Sequence, residues 1–424
     1  MQKFDVLIVG GGMVGLTLAL SLRQQTELTV AVVDTTPIKA IAEQPDVRVS
    51  AINIASKQIF ENLNVWSMIQ KQRLQAYTDM HVWDKAGFGK LHFSLGDLKQ
   101  GEASEQLGWI IENSVVRSSL WEKAQNDKGI TFYTENRLSN IGIGDSDIFA
   151  SFESINGNPL PITAKLVVGA DGANSWLRKQ MDIPLTFRDY DHHAIVATVK
   201  CSQGHQNTAW QVFLETGPLA LLPLDSHDKE NNLCSIVWST SPEDAQRLNA
   251  LSADEFSKEL SAASDGQLGR ITLESERFTH PLTMRMAQTF TQERVALVGD
   301  AAHTIHPLAG QGVNLGLLDA VSLSQLISEK IKTMDQQKLV DEPWLSTRLL
   351  NEYSRWRKAE AAEMIAAMEA IKQIFTPQQG TAKLVRGIGL SLLDNIKPVK
   401  QAMIKQALGL KSHLPQLATR QDKL

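Results

Sequence analysis

Three short apolar runs, each closed by glycine and an acid or by a glycine cluster, punctuate the chain. Phe4 to Val9 precedes Gly10-Gly11-Gly12-Met13-Val14-Gly15, after which apolar residues keep helical spacing through about Gln25. Leu166-Val167-Val168 leads into Gly169-Ala170-Asp171-Gly172, and Val295 to Val298 into Gly299-Asp300. Continuous apolar runs bounded by glycine read as parallel strands buried on both faces, so each motif stands at the carboxyl end of a strand. Behind the last run, Val313, Leu317, Ala320, Val321, Ile327 and Ile331 predict a helix from near Gln311. Leu28 to Val33 is a further strand, ending in Asp34.

Elsewhere the pattern differs. Tyr77 to Phe93 alternates as strands, with Gly87 and Gly89 punctuating a hairpin, and Glu112 to Gln125 is helical. From Thr186 short β-rich runs follow one another: His192–Lys200, Trp210–Leu214, Leu219–Leu224 and Leu233–Ser239. They predict an antiparallel sheet. Ser241-Pro242-Glu243-Asp244 carries an N-cap residue, a proline at the first helical position and early acids, predicting a helix to about Ala262. Beyond the glycine-rich stretch the chain is helical again, over roughly 344–374, 382–394 and 399–408.

At 424 residues the chain exceeds the size at which single cores stop growing, so two joined domains are expected. A net charge of -5 argues against a general nucleic-acid binder. Cys201 and Cys234 lack metal-ligand spacing and are too few for a disulfide framework, which points to core thiols in a reducing cytoplasm. No run approaches the roughly 18 apolar residues of a membrane-spanning helix. Between Thr381 and Lys411, six basic residues face the single acid Asp394 and interleave with apolar ones. Such helices lie on an anionic membrane or pack with a solvated face against their own protein; both readings stay open.

The glycines carry the candidate chemistry. Gly10, Gly12 and Gly15 form Gly-x-Gly-x-x-Gly between strand and helix, where unpaired helix N–H groups take a pyrophosphate, and Asp34 stands where an acid binds an adenosine ribose. Asp300, at a strand's carboxyl end, suits sugar-type hydroxyls. Pro307 keeps the preceding turn out of helix, Gly310 and Gly312 admit a flat ligand closely, and the first helical N–H groups from Gln311 suit a ligand that becomes negative, as reduced isoalloxazine does. Arg48 is a phosphate ligand or a surface charge, and Arg178 a cofactor-edge ligand or a solvated helix charge. Trp210, Phe213, Leu219, Leu221, Leu222 and Pro223 are candidates for the wall of a substrate pocket or are plain core. His192, His193, Tyr190, His303 and His306 are bases by residue type only, and His303-x-x-His306 lacks an acid at metal-site spacing, so no metal is expected.

The glycine motif with Asp34, GADGANSWLR at 169–178 and GDAAHTIHPLAGQGVN at 299–314 together resemble the single-component flavin aromatic monooxygenases. PDVRVSAI near Pro45 and IIENSVVRSSLW near Ile110 narrow the resemblance to the ubiquinone-biosynthesis hydroxylases. It implies an α/β (α+β) class A flavin monooxygenase fold: a discontinuous Rossmann-like FAD-binding domain (1–75, 106–185, 291–335), an interleaved antiparallel-sheet substrate domain (76–105, 186–290) and a C-terminal helical region (336–424). It further implies that Gly10, Gly12, Gly15, Asp34, Arg48, Arg117, Asp171, Arg178, Asp300, Gly312, Val313 and Asn314 bind FAD. Pro307, Gly310, Gln311 and Gly312 would line the reacting ring. The implied reaction hydroxylates a polyprenylated phenol with O2 and transient NADH or NADPH, through a C4a-hydroperoxyflavin. A prenyl reductase or halogenase of the same fold, or a non-catalytic flavoprotein holding a lipid or partner, are the alternatives. The implied location is cytoplasmic and peripheral on the inner membrane, with a membrane, an enzyme complex or a second copy as partners to test.

Overall fold

The computed structural model describes residues 1–38, 40–87, 89–97, 105–154, 159–226, 230–305, 312–337, 343–375, 396–411 and 413–420. Two sheets dominate it. In the first, five parallel strands run in the order Val295–Leu297, Pro159–Gly169, Gln2–Val9, Val30–Asp34, Ile130–Thr134, with Thr291–Gln292 antiparallel at one edge. The helix Met13–Gln25 packs on this sheet and against the helix Gly312–Gln337. Val6, Leu7, Ile8, Leu166, Val167, Val168 and Ala296 are fully buried, as expected of strands covered on both faces. All three glycine-acid motifs therefore emerge at one end of the sheet.

The second sheet has nine strands among the described residues. Its core order is Phe278–Ala287, Leu185–Cys201, Leu233–Thr240, Gly217–Leu224, Thr208–Leu214, Asp79–Asp84, Lys90–Ser94. The antiparallel expectation needs one correction, because Thr208–Leu214 pairs with Asp79–Asp84 in parallel. That pairing joins segments more than a hundred residues apart, which no local turn signal announces. The helix expected from Ser241 to about Ala262 is also two helices, Pro242–Ala250 and Ala253–Ala263. Ser252 breaks it: its hydroxyl accepts from Glu255 N–H while the Glu255 carboxylate accepts from Ser252 N–H, a reciprocal cap that begins a new helix.

These two helices cover one face of the second sheet, burying Ile195, Trp210, Val212, Leu219, Leu221, Ile236 and Trp238 with Phe256 and Leu260. Cys201 and Cys234 lie in the same core as free thiols. The opposite face, through Ala209, Ala220, Leu222 and Leu224, packs on Ala51, Tyr77 and Ile110 of the cofactor half and on Ile404 and Leu408. The last two belong to the helix Lys397–Ala407 and its cap. On this segment Lys400 is buried against Asp97 at 3.1 Å, and Lys411 pairs with Glu360 and Glu363. Lys400 and Lys411 thus face acids of their own chain, as in the packed-helix reading, whereas Lys397 is exposed between Ile396 and Val399, which are also exposed. The helix expected over 382–394 lies outside the described residues. No helix among the described residues is long and apolar enough to cross a membrane.

His205, fully buried in the turn between Leu185–Cys201 and Thr208–Leu214, accepts Asn207 N–H at Nδ1, and burial pushes its pKa from 6.5 down to about 4. The unfolded chain binds a proton below pH 6.5 that the folded protein refuses, so stability falls as pH drops from 6.5 toward 4. Urea unfolding at pH 7.5 and 5.0 should show wild type losing about 2 kcal/mol more than His205→Gln over that interval. Equal losses would refute it.

Candidate cofactor and active site

Three turns meet at the carboxyl ends of the parallel strands. Gly10 N–H donates to Val33 O, Ala170 N–H to Val9 O and Val298 N–H to Gly169 O, which sets the turns side by side. Gly10 has φ +111°, and a Cβ there would lie 2.4 Å from Ala170 O. A Cβ on Gly15 would lie 2.0 Å from Gly10 O, whereas one on Gly12 would meet nothing within 4 Å. The turn is therefore sealed on its protein side and open over the start of the helix Met13–Gln25. Gly12 caps that helix without any side-chain partner for the first N–H groups. An open helix N-terminus with unpaired N–H groups is what a pyrophosphate requires, so the residues present fit a dinucleotide.

Asp34 closes its strand beside that turn. Its Oδ2 accepts from Gly11 N–H at 2.7 Å and from Arg117 at 3.4 Å, and its Oδ1 accepts from Thr36 N–H and hydroxyl, each at 2.7 Å. A ribose hydroxyl would displace the long Arg117 contact most easily. Arg117 is itself anchored by Nε to Gly11 O at 2.8 Å, so it braces the turn. Arg48 is exposed, with its backbone held by Asp46 and Asn113. Behind it Arg73 grips the nearly buried Glu112 through two nitrogens and donates to the Ala42 and Glu43 carbonyls, stapling the loop that presents Arg48.

The middle turn is more structural than its sequence suggests. Asp171 Oδ2 accepts from Trp176 and Leu177 N–H at 2.7 and 3.2 Å, while its Oδ1 is buried with no hydrogen-bond partner among the described residues. Arg178 is 2 % exposed and donates to Ala301 O and Ala173 O at 2.8 and 2.9 Å, which corrects the solvated-charge reading. Burial lowers its pKa; the Asp171 charge opposes this and Arg285 adds to it. The side chain ties two of the three turns together.

The Gly299–Asp300 turn bridges the sheets: Val295–Leu297 belongs to the first, and His303–Thr304 pairs with Arg285 and Met286 of the second. Gly299 has φ +60°, and Cβ atoms on Gly299 or Gly316 would press on Val14. Asp300 is solvent-exposed although protein surrounds its carboxylate closely. Enclosure by protein raises its carboxyl pKa, the His303 charge opposes that shift and Asp319 reinforces it. Gly312 and Val313 start the long helix, and Asn314 is buried, donating to Ala51 O at 2.8 Å and accepting from Asn53 N–H at 3.3 Å. Gly312 and Asn314 border a recess of about 630 Å³, open mouth included, whose far wall is Met364, Met368, Gln406 and Lys411. Pro307, Gly310 and Gln311, like His306, lie outside the described residues.

The structure separates the substrate-wall candidates by face. Trp210 and Leu221 sit under the two helices on the far face of the second sheet, and strand alternation puts Pro223 on that same face. Phe213 faces the other way, beside Val82, Leu91 and Ile371. The face toward the cofactor half carries the candidate Leu222 together with Ala194, Leu282 and Met284. His280 shares that face by alternation, and partial burial and the Arg48 charge lower its pKa from 6.5. It was missed because one histidine in a strand has no signal of its own. Of the named bases, His192 contacts the Tyr190 and Thr216 carbonyls with its two ring nitrogens, and His303 is buried on Asp319. No group of metal-ligating side chains occurs among the described residues.

Fold and site define an FAD-binding protein, and the chain belongs to the FAD binding domain family, whose model matches residues 3–365. Within it the chain is one of the ubiquinone hydroxylases, FAD-dependent aromatic monooxygenases. It is 33% identical over 411 residues to 3-demethoxyubiquinol 3-hydroxylase of Escherichia coli, spanning 96% of this chain and 99% of that protein. It is 30% identical over 465 residues to the mitochondrial ubiquinone biosynthesis monooxygenase COQ6 of Dictyostelium discoideum, spanning 96% and 91%. The crystal structure of p-nitrophenol 4-monooxygenase PnpA from Pseudomonas putida superposes with a TM-score of 0.76 at 19% identity, covering 96% of this chain and 99% of that one, which shows the shared fold.

Proposed function

We propose that this chain hydroxylates the aromatic ring of a polyprenylated phenol in ubiquinone biosynthesis. The balanced reaction takes a ring C–H, O2, NAD(P)H and a proton to a ring C–OH, water and NAD(P)+. The observation that carries the reading is the convergence of three glycine-acid turns at one end of the parallel sheet, with a recess bordered by Gly312, Asn314, Met364 and Met368 at the start of the following helix. Bound FAD supplies the two-electron chemistry and the activation of O2.

The chain's own residues do the rest. The open helix start at Gly12 holds the pyrophosphate, Asp34 the adenosine ribose, and Asp300 the ribityl hydroxyls. Arg48 supplies an exposed positive charge near His280, and the N–H groups from Gly312 to Asn314 stabilise negative charge on the ring's carbonyl edge. Leu222, Leu282 and Met284 exclude water from the reacting centre, and the methionine-lined recess offers apolar room beside it. Only one dinucleotide fingerprint occurs, which suits transient nicotinamide binding over the flavin.

Purified protein should be yellow, bleach with NADH or NADPH under argon, and take up O2 faster when a short-chain prenylphenol is added, yielding a product one oxygen heavier. A bleachable flavin with no prenylphenol-dependent product would remove the substrate assignment. Asp300→Ala should weaken FAD binding by at least about tenfold, the effect of losing one or two hydrogen bonds, as read by flavin fluorescence titration of apoprotein. Unchanged affinity would take Asp300 out of the site.

A further inference from the structure

Behind the Gly299–Asp300 turn lies a buried ionic cluster to which none of the roles above refers. Asp319, in the helix Gly312–Gln337, is 0 % exposed. Its Oδ2 accepts from Gly299 N–H at 2.9 Å and from His303 Nε2 at 2.6 Å. Its Oδ1 accepts from Arg357 Nε at 2.7 Å, and Arg357, 1 % exposed, comes from the helix Thr347–Phe375. The same helix sends the Tyr353 hydroxyl to Leu297 O at 2.8 Å, and Ser354 Oγ accepts from Phe290 N–H at 3.1 Å.

Stability alone does not account for this arrangement. A buried ion pair gains little over apolar side chains of equal volume, since desolvation offsets most of the attraction. Geometry is what the cluster supplies. Gly299, with φ +60°, has no side chain to hold its conformation. One carboxylate oxygen grips both ends of the turn, the N–H of Gly299 before Asp300 and the ring of His303 after it. Arg357 holds the other oxygen and so fixes the plane of the carboxylate. Nearby charges favour the ionised form: burial acts to raise the Asp319 pKa, but His303 and Arg357 outweigh it and hold it below 3.8.

We infer that Asp319, oriented by Arg357, is the positioning residue of the flavin cradle: through Gly299 and His303 it aims Asp300 at the cofactor and thereby sets FAD affinity. This rests on the reading of Asp300 as a ribityl ligand. Asp319 touches no cofactor atom in this scheme. It acts through the turn.

The test compares FAD affinity with apoprotein stability in full-length variants. In Asp319→Asn the side-chain oxygen can still accept from Gly299 or His303, but the amide points a donor at Arg357. FAD should bind at least about tenfold more weakly, while apoprotein thermal midpoint and far-UV circular dichroism report folding separately. Asp319→Asn with Arg357→Gln places an acceptor opposite that amide and should recover most of the affinity, a rescue that mere destabilisation would not show. His303→Gln keeps a donor toward Asp319 and should stay within about threefold of wild type, whereas His303→Leu should lose about tenfold. If Asp319→Asn does not fold, the two His303 variants decide alone. Folded Asp319→Asn that binds FAD within twofold of wild type, or His303→Leu and His303→Gln with equal affinity, would overturn the inference. Asp300→Ala, run in parallel, separates the two levels: if it binds FAD normally the ribityl reading falls and takes this one with it; if it is weak while Asp319→Asn is not, only the positioning role falls.

Discussion

Gly15→Ala is expected to yield protein that lacks FAD and unfolds well below the wild-type midpoint. The added Cβ would lie 2.0 Å from Gly10 O and 3.2 Å from Ala170 Cβ. The first neighbour is backbone, so relief requires moving the turn or the start of the helix Met13–Gln25, and overpacking of this kind costs about 1–3 kcal/mol. Gly12→Ala supplies the contrast. Gly12 has φ −79°, and its Cβ would meet nothing within 4 Å, so the apoprotein should keep its stability to within about 0.5 kcal/mol. The new methyl group stands in the space over the helix N-terminus, and FAD affinity should fall by about tenfold or more. Urea unfolding of both apoproteins and FAD titration check the pair. Wild-type affinity in Gly12→Ala would place the pyrophosphate elsewhere.

Arg178→Met should cost about 1–3 kcal/mol of stability and release FAD. The guanidinium ties Ala301 O, beside Asp300, to Ala173 O, beside Asp171. Methionine fills much of the volume but leaves Ala301 O without its donor, while Ala173 O keeps Arg285 Nη1 at 3.1 Å, and the side-chain tie between the two turns is lost. Lysine donates to one carbonyl and lacks the planar fork, so Arg178→Lys should fall between. Chemical unfolding with and without FAD measures both terms. Equal stability of Arg178→Met and wild type would show that the strand ladder alone holds the turns together.

Which signals were legible follows from their range. The strand ends at Val9, Gly169 and Val298, the helix after Gly12 and the hairpin through Gly87 and Gly89 are local patterns of apolar runs and glycine, and each stands where periodicity places it. The break at Ser252 was equally local, but a continuous helical apolar pattern on both sides masked the capping box. Strand parity is different. Alternation shows that Trp210 and Val212 share a face, yet when both faces are buried nothing local tells which one meets the cofactor half. Of the wall candidates, only Phe213 and Leu222 face away from the covering helices.

The cationic C-terminal helix illustrates the same limit. Lys400 and Lys411 read as solvated or lipid-facing charges until Asp97, Glu360 and Glu363, distant in sequence, are brought to them. A charge's partner is long-range information.

By itself, then, the sequence determined the three turns, the acids Asp34, Asp171 and Asp300 at their edges, and the family they announce, because glycine fingerprints and buried strands are written in contiguous residues. Only the tertiary structure decided how those turns are held. Asp319, Arg357 and Arg178 are charged residues at ordinary helical spacing, and their burial depends on partners up to 123 residues away. The physical reason is that a buried charge is tolerated only where its counter-ions and hydrogen-bond partners converge, and that convergence is a property of the packed chain.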